Sequence, residues 1–238
     1  MTPDNKFPAK VYPKNALNNE KLTMWAPSPN APGRNARLEY SLMENCPRIT
    51  VFTGDPSESS KENNFGKIYG AMDPQSFYIF MTLLEQAANS KEEFKTKIEN
   101  KGYTFFGGKR SETPVVLSET IVGRDKDGIV WMSVVSPNRP RIKFPFSISE
   151  FHTIVRGDGS QPTAPEISSM VAKATVKILQ SLYPLVMSKE YVDTYALRKA
   201  KKEAKTGGYG GGYNSGQSGG GNKPAGGGFD DNEDSIPF

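Results

Sequence analysis

A glycine-rich tract near the C-terminus limits how much of this 238-residue chain can fold. Twelve of the 22 residues at 207–228 are glycine, and most of the others are small or polar. Such a segment buries too little apolar surface to offset its ordering entropy. We therefore predict four parts: an extended N-terminal segment at 1–36, a folded body at 37–206, a flexible linker at 207–228 and a terminal tip at 229–238.

The charge of the chain divides at the same boundary. The formal net charge of +4 combines two unlike parts. Residues 1–206 hold 29 basic and 22 acidic residues, whereas residues 207–238 hold one Lys and four acids. A terminal block of one charge sign is typical of an interaction tail. We therefore expect a basic body joined by a loose tether to an acidic tip.

Two scarce residue types exclude most catalytic chemistry. Cys46 and His152 are the only cysteine and histidine, which rules out a disulfide framework, a cysteine-rich zinc site and a His–His acid/base pair. The chain contains no G-x-x-x-x-G-K-[ST] phosphate loop, and no G-x-S-x-G elbow between a strand and a helix supports a catalytic triad with His152. We interpret Asp125, Asp127 and Asp158 as turn-forming residues and Cys46 as an inert thiol. We predict no enzyme activity, no metal and no cofactor.

The body has patterns typical of a mixed fold in which strands are prominent. They predict strands at 37–43, 48–53, 67–70, 115–124, 129–136 and 141–146. They predict helices at 73–90, from Ser90 to about Gly102, at 165–186, where Pro184 should kink or end the helix, and at 188–205. The predicted class is α+β, mainly β: an OB-type barrel with an inserted helix and C-terminal helices. Pattern alone leaves other α+β sheets open.

Two of these helices have predicted apolar faces. The first is formed by Phe77, Phe80, Met81, Leu84 and Ala88, and the second by Ile167, Met170, Val171, Ala174, Ile178 and Leu182. The longest strongly apolar stretch, 77–84, is far shorter than the roughly 20 residues that span a bilayer. No secretory signal is visible at 1–20. We therefore expect an intracellular protein with no membrane partner.

Aromatic residues interleaved with cations stand out near Trp25, at 103–110 and at 139–146. Proteins bind single-stranded nucleic acid with cations that neutralise the backbone and aromatic faces that stack on bases. Core packing and base stacking are equally open for Trp25, Phe105 and Phe106, and core packing is favoured for Trp131. The predicted DNA-binding residues are Trp25, Arg34, Arg37, Phe105, Phe106, Lys109, Arg110, Trp131, Arg139, Arg141 and Lys143.

The end of the chain resembles a known kind of tail. Acids precede a terminal Ile-Pro-Phe, after a Gly-rich linker. This order resembles the tail of bacterial-type single-stranded-DNA-binding proteins, and the longer body looks like a divergent bacteriophage member. In that family the tip recruits replication, recombination and repair enzymes and competes with DNA for the basic groove. The resemblance assigns this role to Asp230, Asp231, Glu233, Asp234, Ile236, Pro237 and Phe238.

These features together predict a sequence-independent binder of single-stranded DNA. It would protect exposed strands in the cytoplasm of a bacterium or a phage-infected host, and recruit partner enzymes through its tip. A nuclease, a single-strand annealing recombinase and an RNA-binding protein or RNA chaperone are the alternatives. The oligomeric state, including a homo-oligomer, stays open.

Overall fold

Four strands with alternating side chains form the first sheet. The computed structural model describes residues 15–197 apart from Gly108, together with Lys199. The predicted alternation is confirmed, because Ala36, Leu38 and Tyr40 are buried while the residues between them are not. The strands follow chain order across an antiparallel sheet: β1 (Met24–Pro27), β2 (Asn35–Met43), β3 (Cys46–Phe52) and β4 (Lys67–Ala71).

The sheet begins earlier in the chain than we predicted. β1 lies within 1–36, and its residues Met24 to Pro27 pair with Leu38 to Asn35 of β2. Leu17, further upstream, is buried in the same core. The described part of this segment therefore belongs to the folded body. Its strand is only four residues long and ends in proline, so its sequence carries little alternation.

The helix predicted after β4 is confirmed. α1 (Pro74–Asn89) begins after Asp73, whose carboxylate accepts a hydrogen bond from the Ser76 backbone N–H at 2.9 Å. The Ser76 hydroxyl and N–H together hold the pKa of Asp73 below its ordinary value. Such a cap satisfies a donor that the first turn leaves free. The buried face contains all five predicted residues, Phe77, Phe80, Met81, Leu84 and Ala88, together with Ala87.

The stretch after α1 is a strand, so the predicted second helix is wrong. β5 (Phe94–Gly102) alternates between half-buried and exposed side chains. Ser90 is the C-cap of α1 instead of the first residue of a new helix. The two-residue period of Phe94, Thr96 and Ile98 prevails because a strand here completes a second sheet. A small hairpin follows, formed by β6 (Phe105–Phe106) and β7 (Lys109–Arg110).

The predicted central hairpin is confirmed and forms the middle of the second sheet. In its turn Gly128 has a φ of 79°, and the Asp125 carboxylate accepts a hydrogen bond from the Ile129 N–H at 2.8 Å. The hairpin joins β8 (Val115–Arg124) to β9 (Val130–Val135). The last strand is β10 (Phe144–Pro145), and the sheet order is β10-β9-β8-β5. The strand predicted at 141–146 is therefore shorter than expected, although its alternation is present.

The long C-terminal helix begins as predicted but buries a different face. α2 (Ala164–Lys189) starts with a capping box between Thr163 and Glu166, and it continues past Pro184. Its buried residues are Ser168, Ala172, Val176, Leu179, Tyr183 and Val186. The predicted face is wrong: Met170, Ala174 and Ile178 are exposed, whereas Ile167, Val171 and Leu182 are half-buried.

A polar anchor explains the rotation of α2. The Ser168 hydroxyl accepts a hydrogen bond from the Val130 N–H at 2.9 Å and donates one to the Val130 carbonyl at 3.3 Å. These bonds place a serine against β9, which apolar periodicity cannot anticipate. The helix predicted at 188–205 is described only in part, with helical residues at 194–197. The linker at 207–228 and the tip at 229–238 lie outside the described residues.

The two sheets and two helices enclose one core. β1 lies against β10, and β4 lies against β8 and β9. Gly70 of β4 permits this approach, because a side chain there would collide with the Thr120 hydroxyl of β8 at 2.6 Å. Within the described ranges no strand ladder joins the two sheets, so the fold is α+β without a closed barrel. In the same ranges no helix is long and apolar enough to cross a bilayer.

Candidate nucleic-acid interface

One row of side chains crosses the outer face of the first sheet. Trp25 of β1 is opposite Arg37 of β2, Arg37 is opposite Phe52 of β3, and Phe52 is opposite Lys67 of β4. The residues that follow each of them in sequence point to the core. Three strand spacings of about 4.8 Å make this row roughly 14 Å long. We call these four residues the outer row.

The cations of the outer row are held on an aromatic ring. The Arg37 guanidinium carbon lies 3.9 Å from the centre of the Phe52 ring, and the Lys67 Nζ lies 5.7 Å from it. Arg37 also donates a hydrogen bond to Glu39 at 2.8 Å. Cation–π contacts of this kind stabilise a charge while leaving it near solvent. The row therefore presents two ordered cationic groups, of which Arg37 is also paired with Glu39.

Trp25 is the free aromatic surface at one end of the row. Its side chain is 57% exposed, and no ring pair or cation contact involving it occurs among the described residues. Arg34 lies exposed in the β1–β2 connection, near the same end. An exposed indole opposite Arg37 can stack on a base while the guanidinium binds a neighbouring phosphate. Core packing, which the sequence left open for Trp25, is excluded.

A second aromatic and cation pair extends the surface. Tyr69 of β4 is opposite Thr50 of β3, two residues along each strand from the outer-row pair of Lys67 and Phe52. The Arg48 guanidinium carbon lies 4.7 Å from the centre of the Tyr69 ring. Sequence analysis missed Phe52, Lys67, Tyr69 and Arg48 as site residues. Each follows the outward period of its strand, but only the register across strands brings them together.

The β6–β7 hairpin carries a further exposed group of the predicted type. Phe105 pairs with Arg110, and Phe106 pairs with Lys109 through the backbone. The Arg110 guanidinium carbon lies 3.4 Å from the centre of the Tyr103 ring, and Phe105 is exposed. β8, which follows the hairpin, contacts β4, and the Ser118 hydroxyl of β8 donates to the Tyr69 carbonyl at 2.6 Å. The hairpin is thus attached to the β4 side of the sheet that carries the outer row.

Arg139 is held in an ion pair that leaves little of its side chain exposed, so we assign it a structural role and not a DNA contact. Its guanidinium donates to both oxygens of Glu58, at 3.2 and 2.7 Å, and to the Lys67 carbonyl at 2.6 Å. The two side chains are only 11% and 9% exposed. The hydrogen bonds from Arg139 hold the pKa of the Glu58 carboxyl below its ordinary value. Arg139 therefore fixes the start of β4, which carries Lys67.

Trp131 lies on β9 of the second sheet, and Arg141 and Lys143 lie in the segment that leads into β10. Trp131 is 5% exposed and lies on Gly123 of the neighbouring strand, where any side chain would overlap the indole. Core-like packing, the favoured interpretation from sequence, describes it well. The Lys143 Nζ lies 4.6 Å from the Trp131 ring centre. Arg141 and Lys143 are exposed while Ile142 and Phe144 are buried, as the alternation predicts.

Asp158, Cys46 and His152 belong to residue types that serve in catalysis, and the structure describes the surroundings of each. Asp158 accepts hydrogen bonds from the N–H and hydroxyl of Ser160, which lower its carboxyl pKa and close a turn. Burial raises the pKa of the Cys46 thiol, and His152 is exposed. In the part of the chain that the structure describes, no group of three His, Cys, Asp or Glu side chains could hold a metal ion.

Comparison with known proteins adds no relative. Family models, curated proteins and solved structures give no match to this chain. The tip residues Asp230, Asp231, Glu233, Asp234, Ile236, Pro237 and Phe238 lie outside the described residues, so their role stays a prediction.

Proposed function

We propose that the protein binds single-stranded DNA without sequence preference and without catalysis. The observation that carries the proposal is the outer row, in which Trp25, Arg37, Phe52 and Lys67 alternate aromatic and cationic groups across four strands. Every base has a face that can stack on an aromatic ring, and every nucleotide carries a phosphate, so such a row tolerates any sequence. Side chains that read base edges are not required.

We further propose the finer identity that the tail resemblance suggests. The protein would be a divergent bacteriophage single-stranded-DNA-binding protein, and its two sheets an open form of the OB-type barrel. The contacts of β1 with β10 and of β4 with β8 and β9 support a barrel-like arrangement. In that role it would coat strands exposed during replication, recombination and repair. The acidic Ile-Pro-Phe tip would recruit partner enzymes.

Salt dependence tests the proposal directly. We expect oligo(dT) affinity to fall as salt rises, with a log–log slope of about −0.7 for each phosphate neutralised. Arg37→Gln should reduce the steepness of this slope by about 0.7, because one phosphate contact is lost. Fluorescence anisotropy with a labelled oligonucleotide measures both. Lys173→Gln, an exposed cation on α2, is the matched control and should leave the slope unchanged. A flat salt response of the unmodified protein would refute the proposal.

Removal of the tip gives a second test. Deleting 229–238 removes four carboxylates. Affinity for oligo(dT) should stay equal or rise, because the tip is an acidic competitor for the cationic surface. The same titration, run at low salt where electrostatic competition is strongest, measures the change. Weaker binding by the truncated protein would contradict the tethered-competitor arrangement.

A further inference from the structure

The second sheet carries its own cationic row on its outer face. Lys95 of β5 is opposite Gly123 of β8, Gly123 is opposite Trp131 of β9, and Trp131 is opposite Pro145 of β10. Lys143 lies above the indole of Trp131. Unlike the outer row, this row has one cation in register, Lys95, and Lys143 adds a second from the segment before β10. Here, however, the ring is covered and the cations form the accessible surface.

A groove runs beside this row. Its volume is about 300 Å³, and Trp131 forms part of its wall together with Lys95, Arg124, Arg141 and Lys143. Two carboxylates, Glu93 and Asp125, also line it. Asp125 already accepts the Ile129 N–H of the hairpin turn. The four cations therefore outnumber the carboxylates, and the groove favours an anionic ligand.

The indole of Trp131 lines the groove, but its N–H is covered by the sheet. The Trp131 Nε1 is buried and has no hydrogen-bond partner among the described residues. A buried N–H without a partner is costly, and such groups are rare in native proteins. The Nε1 lies against Gly123, where a Cβ would be only 2.9 Å from it, so the preference of the groove for an anion rests on its four cations.

The two rows approach each other at a strand junction. β1, which carries Trp25, lies against β10, which carries Pro145 and is preceded by Lys143. A DNA strand bound along the outer row from Lys67 to Trp25 would thus reach the edge of the first sheet next to β10. The shortest continuation leads over β10 into the groove. Both surfaces carry excess positive charge along this path.

We propose that the groove of the second sheet is a second binding site for the phosphodiester backbone of the same DNA strand. This inference rests on the proposed function, since it assumes that the outer row binds the first part of the strand. The bound strand would be longer than one sheet can hold. Lys95, Arg141 and Lys143 would contact its phosphates without contributing to the binding of a short strand.

Oligonucleotide length separates the two sites. The test variant combines Lys95→Gln, Arg141→Gln and Lys143→Gln, and the control combines Lys173→Gln, Lys177→Gln and Lys189→Gln on α2, all exposed cations. The probes are oligo(dT) of about 6 and about 20 nucleotides, the first near the lower end of the roughly 4–16 nucleotides that a single fold binds and the second above that range. For the long probe, the log–log slope of affinity against salt should be less steep by about 2 in the test variant than in the unmodified protein. For the short probe both variants should match the unmodified protein.

The protein's own tryptophans provide an independent readout. Trp25 and Trp131 are the only two, and they lie on different sheets. In a Trp25→Phe variant the long probe should change the emission of Trp131, because the strand enters the groove beside it. An unchanged emission, or equal effects of the test variant on short and long probes, would overturn the second site. If the unmodified protein bound neither the short nor the long oligo(dT), the proposed function itself would be refuted.

Discussion

Replacing Arg139 with methionine is expected to lower the free energy of unfolding by about 3–5 kcal/mol. The change leaves the Glu58 carboxylate in a nearly buried position without its partner, and it also removes the donor to the Lys67 carbonyl. An uncompensated buried charge has a cost of this size because the protein interior solvates it poorly. Urea unfolding followed by circular dichroism measures the loss as a lower midpoint.

A double variant distinguishes the ion pair from the packing around it. Glu58→Leu together with Arg139→Met replaces both charges by apolar groups, which is often neutral or stabilising. We expect it to recover most of the stability that Arg139→Met loses. We also expect the double variant to keep its affinity for oligo(dT), because Arg139 fixes the start of β4 and does not face the bound DNA. A folded double variant that has lost DNA binding would restore Arg139 as a direct contact.

Local patterns predicted most elements of this fold. The alternation of Leu38 and Tyr40 indicates β2, and Asp73 before a proline indicates the start of α1. These signals suffice because the residues that decide the structure are neighbours in sequence. β5 shows their limit, since Ser90-x-x-Glu93 predicts a helix where the two-residue period of Phe94, Thr96 and Ile98 forms a strand. The choice depends on pairing with β8, which is distant in sequence.

The candidate site was harder to predict than the fold. Trp25 and Arg37 stood out because each lies near other cations or aromatic residues in sequence. Phe52 and Lys67 did not, although they complete the same row. Antiparallel register sets which residues of separate strands are opposite each other, and a shift of one residue would reverse every face. The row therefore became visible only with the register.

Arg139 illustrates the opposite error. It begins an alternating cationic run, so sequence analysis grouped it with Arg141 and Lys143. The structure separates them, because Glu58, 81 residues earlier in the chain, pairs with Arg139 and leaves the other two exposed. Charge alone does not distinguish a binding residue from a buried ion pair. The location of its partner does, and that location is a property of the tertiary fold.

Replacing Trp25 with alanine is expected to weaken binding of short oligo(dT) roughly 5- to 150-fold. This range corresponds to about 1–3 kcal/mol for one base stacked on an aromatic ring. The fold should tolerate the change because the indole is 57% exposed, while the neighbouring Ala26 remains buried in the core. Trp25→Phe should retain much of the affinity, since a smaller ring can still stack.

Tyr191→Ala is the matched control for an exposed aromatic residue. Tyr191 is 67% exposed, and the backbone of the next residue, Val192, exchanges hydrogen bonds with Asn45 in the β2–β3 turn. That turn lies at the opposite end of the β2–β3 hairpin from the pair of Arg37 and Phe52. Anisotropy titrations should therefore give the control the affinity of the unmodified protein. Equal binding by Trp25→Ala and Tyr191→Ala would mean that bases do not stack on β1, and the outer row would lose its role as the DNA-binding surface.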